Sequence, residues 1–365
     1  MSRAKKIVGV LAVSVVGLVV VLAVAVRLTT YHPGELEPAP LTCGEEAPVL
    51  KRGQPVKILS WNVQYMAGKN YVFYYDILDG SGPDTRPTRK DIDATTAEVA
   101  RVIREEDPDI VLLQEVDDGA ARTDGEDQHA ILLGLLKQSR YVCHAQAFYW
   151  KAGFVPHPKI MGAVGLKLST FSRYKIERAE RRALPMLKQD PLTDQFYIKR
   201  AVLETVLPLE GSSSPGGLVV MNTHLDAFAQ GTDTMERQVE AIRARLNKLE
   251  TLGVPWVIGG DFNLLPPGES YERLGERQRA YYKPKTELES LYKSFHAVPS
   301  LEEVQGPDYK LWWTHWPNDP DAGGLDRTID YIFASKHVKL GEHKVRHGDA
   351  LRLSDHMPVI ATVTP

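Results

Sequence analysis

Trp256-Val257-Ile258-Gly259-Gly260-Asp261-Phe262-Asn263 is the stretch on which the reading of this chain turns. An apolar, β-branched run with the character of a buried strand is broken by two glycines just before an Asp-x-Asn. Taken singly, such an Asp-x-Asn is ordinarily a turn, because both side chains bond to nearby backbone. The figure recurs, however. Ser60-Trp61-Asn62 closes the run Val56–Trp61, Gln114-Glu115 follows Ile110–Leu113, and Thr223-His224-Leu225-Asp226 follows Leu218–Asn222. Asp330 lies in Ile329–Ala334, and Ser354-Asp355-His356 precedes Val359–Val363. Polar side chains gathered at the ends of apolar strands are what a sheet scaffold projects into a shared crevice.

Further strands are expected at Val142–Phe148, Ala163–Leu168 and Ala201–Leu207. Helical patterns lie between them at Ile92–Glu106, Gln128–Gln138 and Thr234–Leu252, the last with Met235, Val239, Ile242, Leu246 and Leu249 at helical spacing. Strands outnumber helices and several are adjacent in sequence, so the expected α/β core is two packed sheets flanked by helices. Gly211–Gly217 reads as a hairpin or loop tip, and no repeat or second linker interrupts residues 55–365, which are expected to form one catalytic domain.

The 365 residues are 43% hydrophobic and 25% charged, an ordinary globular balance, with a formal net charge of −3. That charge offers no global cationic field for nucleic acid. With only Cys43 and Cys143, neither a disulfide framework nor a cysteine zinc site is available, although the two could form one bridge in an oxidising compartment. Ile7–Val26 is an uncharged apolar run long enough to cross a bilayer as a helix. Arg3, Lys5 and Lys6 precede it and Arg27 follows, which places the N-terminus in the cytoplasm and the rest outside. Residues 1–28 therefore read as a membrane anchor, with a cleaved signal peptide ending near Ala23-Val24-Ala25 as the competing reading. Residues 29–54, rich in Pro, Glu and Gly, read as an extended stem.

Together the strand-end residues supply what hydrolysis of a phosphate ester needs. Glu115, Asn62 and the aspartates offer hard oxygen ligands for a divalent cation. Asp261, Asn263, His224 and His356 offer a base and donors for the charge that builds on the phosphate oxygens. Arg200, opening the run Ala201–Leu207, suits a phosphate or a carboxylate, or is a solvated strand end. Asp127-Gln128 reads as a helix N-cap.

Trp61-Asn62, Gln114-Glu115, Thr223-His224-Leu225, Gly260-Asp261-Phe262-Asn263, Ile329-Asp330-Tyr331 and Ser354-Asp355-His356, in this order, give the chain from Val56 to Pro365 its resemblance to the endonuclease/exonuclease/phosphatase superfamily. Gly165–Tyr174 resembles the family's strand ending in Ser-Arg-Tyr. The resemblance implies a four-layer αββα sandwich and a Mg²⁺ or Mn²⁺ cofactor. It implies that Glu115 is the principal metal ligand, with Asn62 beside it and Asp355 assisting. Asp261 would orient or deprotonate water, and Asn263 would hold that water and a phosphate oxygen. His356 would contact the phosphate as a cation fixed by Asp330, with His224 across from it as a second donor or acid. The general base, Asp261 or His356, is left open.

The family spans DNA, lipids and soluble phosphates, so fold does not choose the substrate. Location does add something: an outward-facing domain beside a bilayer meets lipid headgroups first. The leading expectation is a neutral-sphingomyelinase-like phosphodiesterase acting on a phospholipid or sphingolipid. An exported nuclease is the alternative within this chemistry, and a non-catalytic lipid- or partner-binding relative is the alternative outside it. Aromatic residues in the segment Tyr65–Ile92 (Tyr65, Tyr71, Phe73, Tyr74, Tyr75) and at Phe148-Tyr149-Trp150 and Phe154 suit a membrane rim or a substrate contact, Tyr65 foremost; Trp312, Trp313 and Trp316 could wall the site.

Overall fold

In a computed structural model, residues 3–69, 71–73, 76, 77, 80, 82, 83, 86–211, 217–227, 229–319 and 322–365 are described. Tyr74, Tyr75 and most of the expected Gly211–Gly217 loop tip lie outside them.

Two seven-stranded mixed sheets form the core. The first runs, in spatial order, Lys339–Val345, Val359–Thr364, Val56–Asn62, Ile110–Asp117, Gly162–Ser172, Cys143–Val155 and Leu41–Cys43. The second runs Leu36–Pro38, Arg178–Ala183, Ala201–Leu207, Leu218–His224, Trp256–Asp261, Asp330–Ala334 and His296–Val298. Alternation along each strand builds the layers. Ile58, Leu112, Val220 and Val257 face the other sheet in one shared cluster. Their neighbours Leu59 and Val111 pack toward the helix Arg89–Glu106, whereas Val219 and Ile258 pack toward the helix Thr234–Thr251. The result is the expected helix–sheet–sheet–helix sandwich.

At its middle the sandwich is pinned by polar side chains. Gln114 of the first sheet donates to Asn222 Oδ1 of the second at 2.7 Å, and Asn222 donates back to the carbonyls of Leu113 (3.0 Å) and Ser169 (3.1 Å). The two sheets approach closely beside this pin. A Cβ at Gly259 would lie 2.9 Å from Leu112 Cδ1 of the first sheet, and one at Gly260 would lie 2.0 Å from the Thr223 carbonyl oxygen on the adjacent strand of its own sheet. Both glycines of the opening stretch are therefore required by packing.

The helix Arg3–Thr29 is long and apolar enough to cross a membrane, with a mean hydropathy of 3.1 over its best window and none of that window buried in the domain. The expected stem is corrected. Residues 29–54 are extended but docked: Leu36–Pro38 and Leu41–Cys43 add edge strands to the two sheets, and Thr30 bridges Ala152. Cys43 is disulfide-bonded to Cys143. An extended chain beside an open sheet edge satisfies its backbone polar groups by pairing, which a free stem leaves to water.

Candidate active site

The strand ends meet in one cleft. Val56–Asn62 and Ile110–Asp117 run parallel, as do Leu218–His224 and Trp256–Asp261, so Asn62, Glu115, His224 and Asp261 emerge at the same end. Glu115 sits at a bulge in its strand with φ 57°, a left-handed conformation that turns its side chain out of the alternation and into the cleft. Asp330 and His356 lie at the starts of antiparallel neighbours, which brings them to the same edge.

Asn62 joins the two halves. Its Nδ2 donates to Glu115 Oε1 at 3.0 Å and to Asp261 Oδ2 at 3.1 Å, while its Oδ1 accepts the Gln64 N–H at 3.0 Å. Asn62 thus orients both carboxylates. Asp261 Oδ1 accepts from the Asn263 N–H at 2.9 Å, and Asn263, itself at φ 51°, donates to the Leu225 carbonyl at 3.3 Å.

The histidines hold opposite charge states. His356 Nδ1 donates to Asp330 Oδ2 at 2.8 Å, and its Nε2 lies 3.6 Å from Asp261 and 4.0 Å from Asp355. Burial pulls its pKa down, but Asp330, Asp261 and Asp355 outweigh that and raise it well above the usual value, so the ring is an imidazolium. His224 is pushed well below its usual value by burial, then by Arg200 and His356, so it is neutral. Its Nδ1 lies 3.3 Å from the Tyr149 hydroxyl and its Nε2 lies 3.3 Å from Asp261 Oδ2. Burial lifts the Asp261 carboxyl to about 7, against the pull of His356.

Arg200 enters the cleft almost wholly buried, beside the face of Tyr149, with Nε and Nη1 meeting no protein acceptor. On the cleft wall, among the described residues, the carboxylates of Asp76, Glu115, Asp261 and Asp355 outnumber Arg200 and the His356 imidazolium; Lys69 acts on Asp76 and Asp355 and Arg122 on Glu115 from beyond the wall, and Arg327 is engaged bidentately by Asp326. Burial, then Asp355, raises the pKa of both Glu115 and Asp76, the latter to about 7. Crowded buried carboxylates of this kind fit a hard divalent cation, which would relieve both costs. His315 Nε2, 4.0 Å from Asp355 Oδ2, is a further ligand atom for such an ion.

Asn62, Glu115, Arg200, His224, Asp261, Asn263, Asp330, Asp355 and His356 are therefore brought together as expected from sequence. Tyr65 is not. Its ring lies 3.4 Å from the Arg122 guanidinium and borders a neighbouring cavity, because the residues Gln64–Met66 turn through positive φ and carry the ring away. Tyr71 bonds to Asp91, and Phe73 borders the same neighbouring cavity as Tyr65, so neither lines the cleft. Trp312 and Trp313 pack on His343 and Tyr309 instead of walling the site, and Trp316 lies under Lys69. The polar residues between and after them do the work: Thr314 Oγ1 accepts the N–H groups of Ile329 and Asp330, and His315 and Asn318 line the cleft. Asn318 donates to Asp76 (3.1 Å) and Asp355 (3.0 Å). Asp76, His315 and Asn318 escaped the sequence reading because none stands at a strand end, whereas Tyr149, singled out with its aromatic neighbours, lines the cleft. Asp127 is an N-cap, accepting from the His129 and Ala130 N–H groups.

Comparison with known proteins places the fold. The chain is similar in structure to an endonuclease/exonuclease/phosphatase from Beutenbergia cavernae (22% identity, TM-score 0.57, 86% of this chain and 72% of that one). It is similar also to an endonuclease/exonuclease/phosphatase family protein from Leptotrichia buccalis (16%, 0.52, 84% and 99%) and to the human Nocturnin catalytic domain (16%, 0.50, 90% and 98%). At these identities the shared property is the fold. No curated protein sequence matches the chain. The profile of the Endonuclease/Exonuclease/phosphatase family matches residues 59–356, from the strand that bears Asn62 to His356 itself, and the chain belongs to that family of phosphoesterases.

Proposed function

We propose that this protein is an exported, membrane-anchored phosphodiesterase that uses Mg²⁺ or Mn²⁺ to hydrolyse the headgroup ester of a phospholipid or sphingolipid. The observation that supports the chemistry is the unbalanced cleft: a buried guanidinium with free donors stands opposite a set of carboxylates with too few cations. Glu115 and Asp355 would hold the cation, with Asp76 beside them. When bound, that ion neutralises charge on a phosphate oxygen. Asp261 takes the proton of the attacking water, since its carboxyl titrates near neutrality while the His356 imidazolium already has its proton. His356, Arg200 and His224 meet the phosphate oxygens, and Asn263 positions the water.

The lipid substrate is supported by placement. The apolar helix ends directly on the domain through the Thr30–Ala152 bridge, the basic residues precede it, and the Cys43–Cys143 pair suits an oxidising compartment. The test is hydrolysis of bis-p-nitrophenyl phosphate, plasmid DNA and mixed-lipid vesicles with Mg²⁺, Mn²⁺ or EDTA. Metal-dependent release of headgroups is expected, and Glu115→Gln should raise the metal concentration needed for half-maximal rate. Cleavage of DNA alone would remove the lipid assignment; activity that survives EDTA would remove the metal.

A further inference from the structure

Beside the catalytic cleft, a second, largely apolar groove of about 620 Å³ opens against the end of the apolar helix. It is lined by Val26, Trp150, Ile160, Leu187, Phe196 and Ile198 among others. Val26 is half-buried, whereas the helix residues on either side of it are exposed, so this is where the helix meets the domain. Trp150 is held in place by its indole N–H, which donates to the Phe196 carbonyl at 2.7 Å. A volume in the range of about 300–1,000 Å³ is typical of sites that enclose a small ligand.

Two continuities say what such a groove would hold. At one end, Ile198 borders both the groove and the catalytic cleft that contains Arg200 and Asp261. At the other end is the bilayer. A span of 25 residues rises about 37 Å, more than the roughly 30 Å of hydrocarbon, which puts the last helical turn, with Val26 and Arg27, at the membrane interface. Leu192, which lines the groove, is 63% exposed, and Met161 and Phe154, each next in sequence to a lining residue (Ile160 and Val155), are 60% and 45% exposed. Exposed leucine, methionine and phenylalanine beside a membrane-proximal opening are costly in water and favourable against acyl chains.

We propose that this groove receives one hydrocarbon chain of a bilayer phospholipid, so that the lipid moves laterally out of the membrane while its phosphate reaches Arg200 and Asp261. The proposal rests on the lipid reading of the active site and adds to it a second determinant, chain length. A chain drawn from the bilayer exchanges hydrocarbon for hydrocarbon, so the groove spares it exposure to water, roughly a fourfold factor for each methylene sheltered. The preference is therefore for long-chain substrates delivered from a bilayer.

The full chain, reconstituted in detergent or vesicles, is assayed on three substrates: bis-p-nitrophenyl phosphate, dihexanoyl phospholipids in solution, and vesicles of long-chain phosphatidylcholine, phosphatidylethanolamine, phosphatidylglycerol and sphingomyelin in equal parts. Leu192→Glu changes an exposed rim residue, and Leu187→Glu changes the groove wall; the soluble diester reports whether each variant is folded. Both variants are expected to lower headgroup release from the vesicles at least tenfold, with bis-p-nitrophenyl phosphate within about twofold of the unaltered protein and the dihexanoyl lipids lowered less than the vesicles. A phosphatidylcholine with a diazirine at its chain end should crosslink within residues 187–198, a readout that needs no turnover. Equal vesicle rates in variant and parent, or crosslinks confined to the membrane helix, would overturn the groove and leave the lipid reading standing. If the parent hydrolyses bis-p-nitrophenyl phosphate but no lipid of either length, the lipid reading fails and the groove assignment fails with it.

Discussion

Replacing Arg200 with methionine should make the protein more stable and much less active. The side chain is 3% exposed, and its Nε and Nη1 find no acceptor in the protein. Each unmatched buried donor costs about 1–3 kcal/mol, so the pair costs about 2–6 kcal/mol. The Tyr149 face, whose centroid is 5.3 Å from the guanidinium carbon, returns about 1–2 kcal/mol. Water in the open cleft offsets part of the remainder, which leaves about 1–3 kcal/mol in favour of Arg200→Met, whose apolar side chain keeps much of the bulk. In a thermal melt that is a rise of a few degrees. Catalysis should move the other way, with kcat/KM on bis-p-nitrophenyl phosphate falling about 10²–10³-fold, the usual loss when one charge-stabilising donor is removed. Inorganic phosphate should raise the melting temperature of the parent but not of the variant. A variant that is less stable and fully active would show that the guanidinium is structural, and the phosphate assignment of this end of the cleft would be wrong.

The parent's kcat/KM should fall as pH drops below about 7, because Asp261 must be ionised to accept a proton and burial holds its carboxyl near that value; Asp261→Asn should cost about 10²–10⁴-fold and abolish this acid limb, and a variant that keeps the limb would transfer the base role elsewhere. Asp330→Asn removes the first of the carboxylates that hold the proton on His356, so the alkaline limb should move to lower pH, and an unmoved limb would mean that His356 does not act as a cation. Glu204 is buried between Arg182 (2.7 Å) and Arg245 (2.6 Å); burial raises its pKa, but the two arginines outweigh that and lower it. Its contribution is therefore present above its unfolded pKa of about 4.3 and is lost as pH falls through the lower folded value. Glu204→Gln should cost about 1–3 kcal/mol at neutral pH, since both arginines reach solvent, and nothing at low pH, as read by urea unfolding.

Much of the site was legible because polar side chains at strand ends leave a local signature: an apolar run that stops at Asn62, Glu115, His224 or Asp261. Local pattern also determined the two-sheet core, since Ile58 and Leu59, or Val257 and Ile258, can alternate between a sheet interface and a helix layer only in a sandwich. Composition alone determined the apolar helix. Tertiary structure decided what depends on residues far apart in the chain. It drew residues 36–43 from an expected stem onto two sheet edges, because strand pairing depends on a partner more than a hundred residues away. It turned Glu115 inward at a bulge and Tyr65 aside, since a positive φ reverses where a side chain points without altering the apolar pattern around it. It brought Asp76, Tyr149, His315 and Asn318 to the cleft from loops and from mid-strand, and it set a groove between the helix end and the catalytic domain, because only the folded surface determines which exposed apolar residues become neighbours.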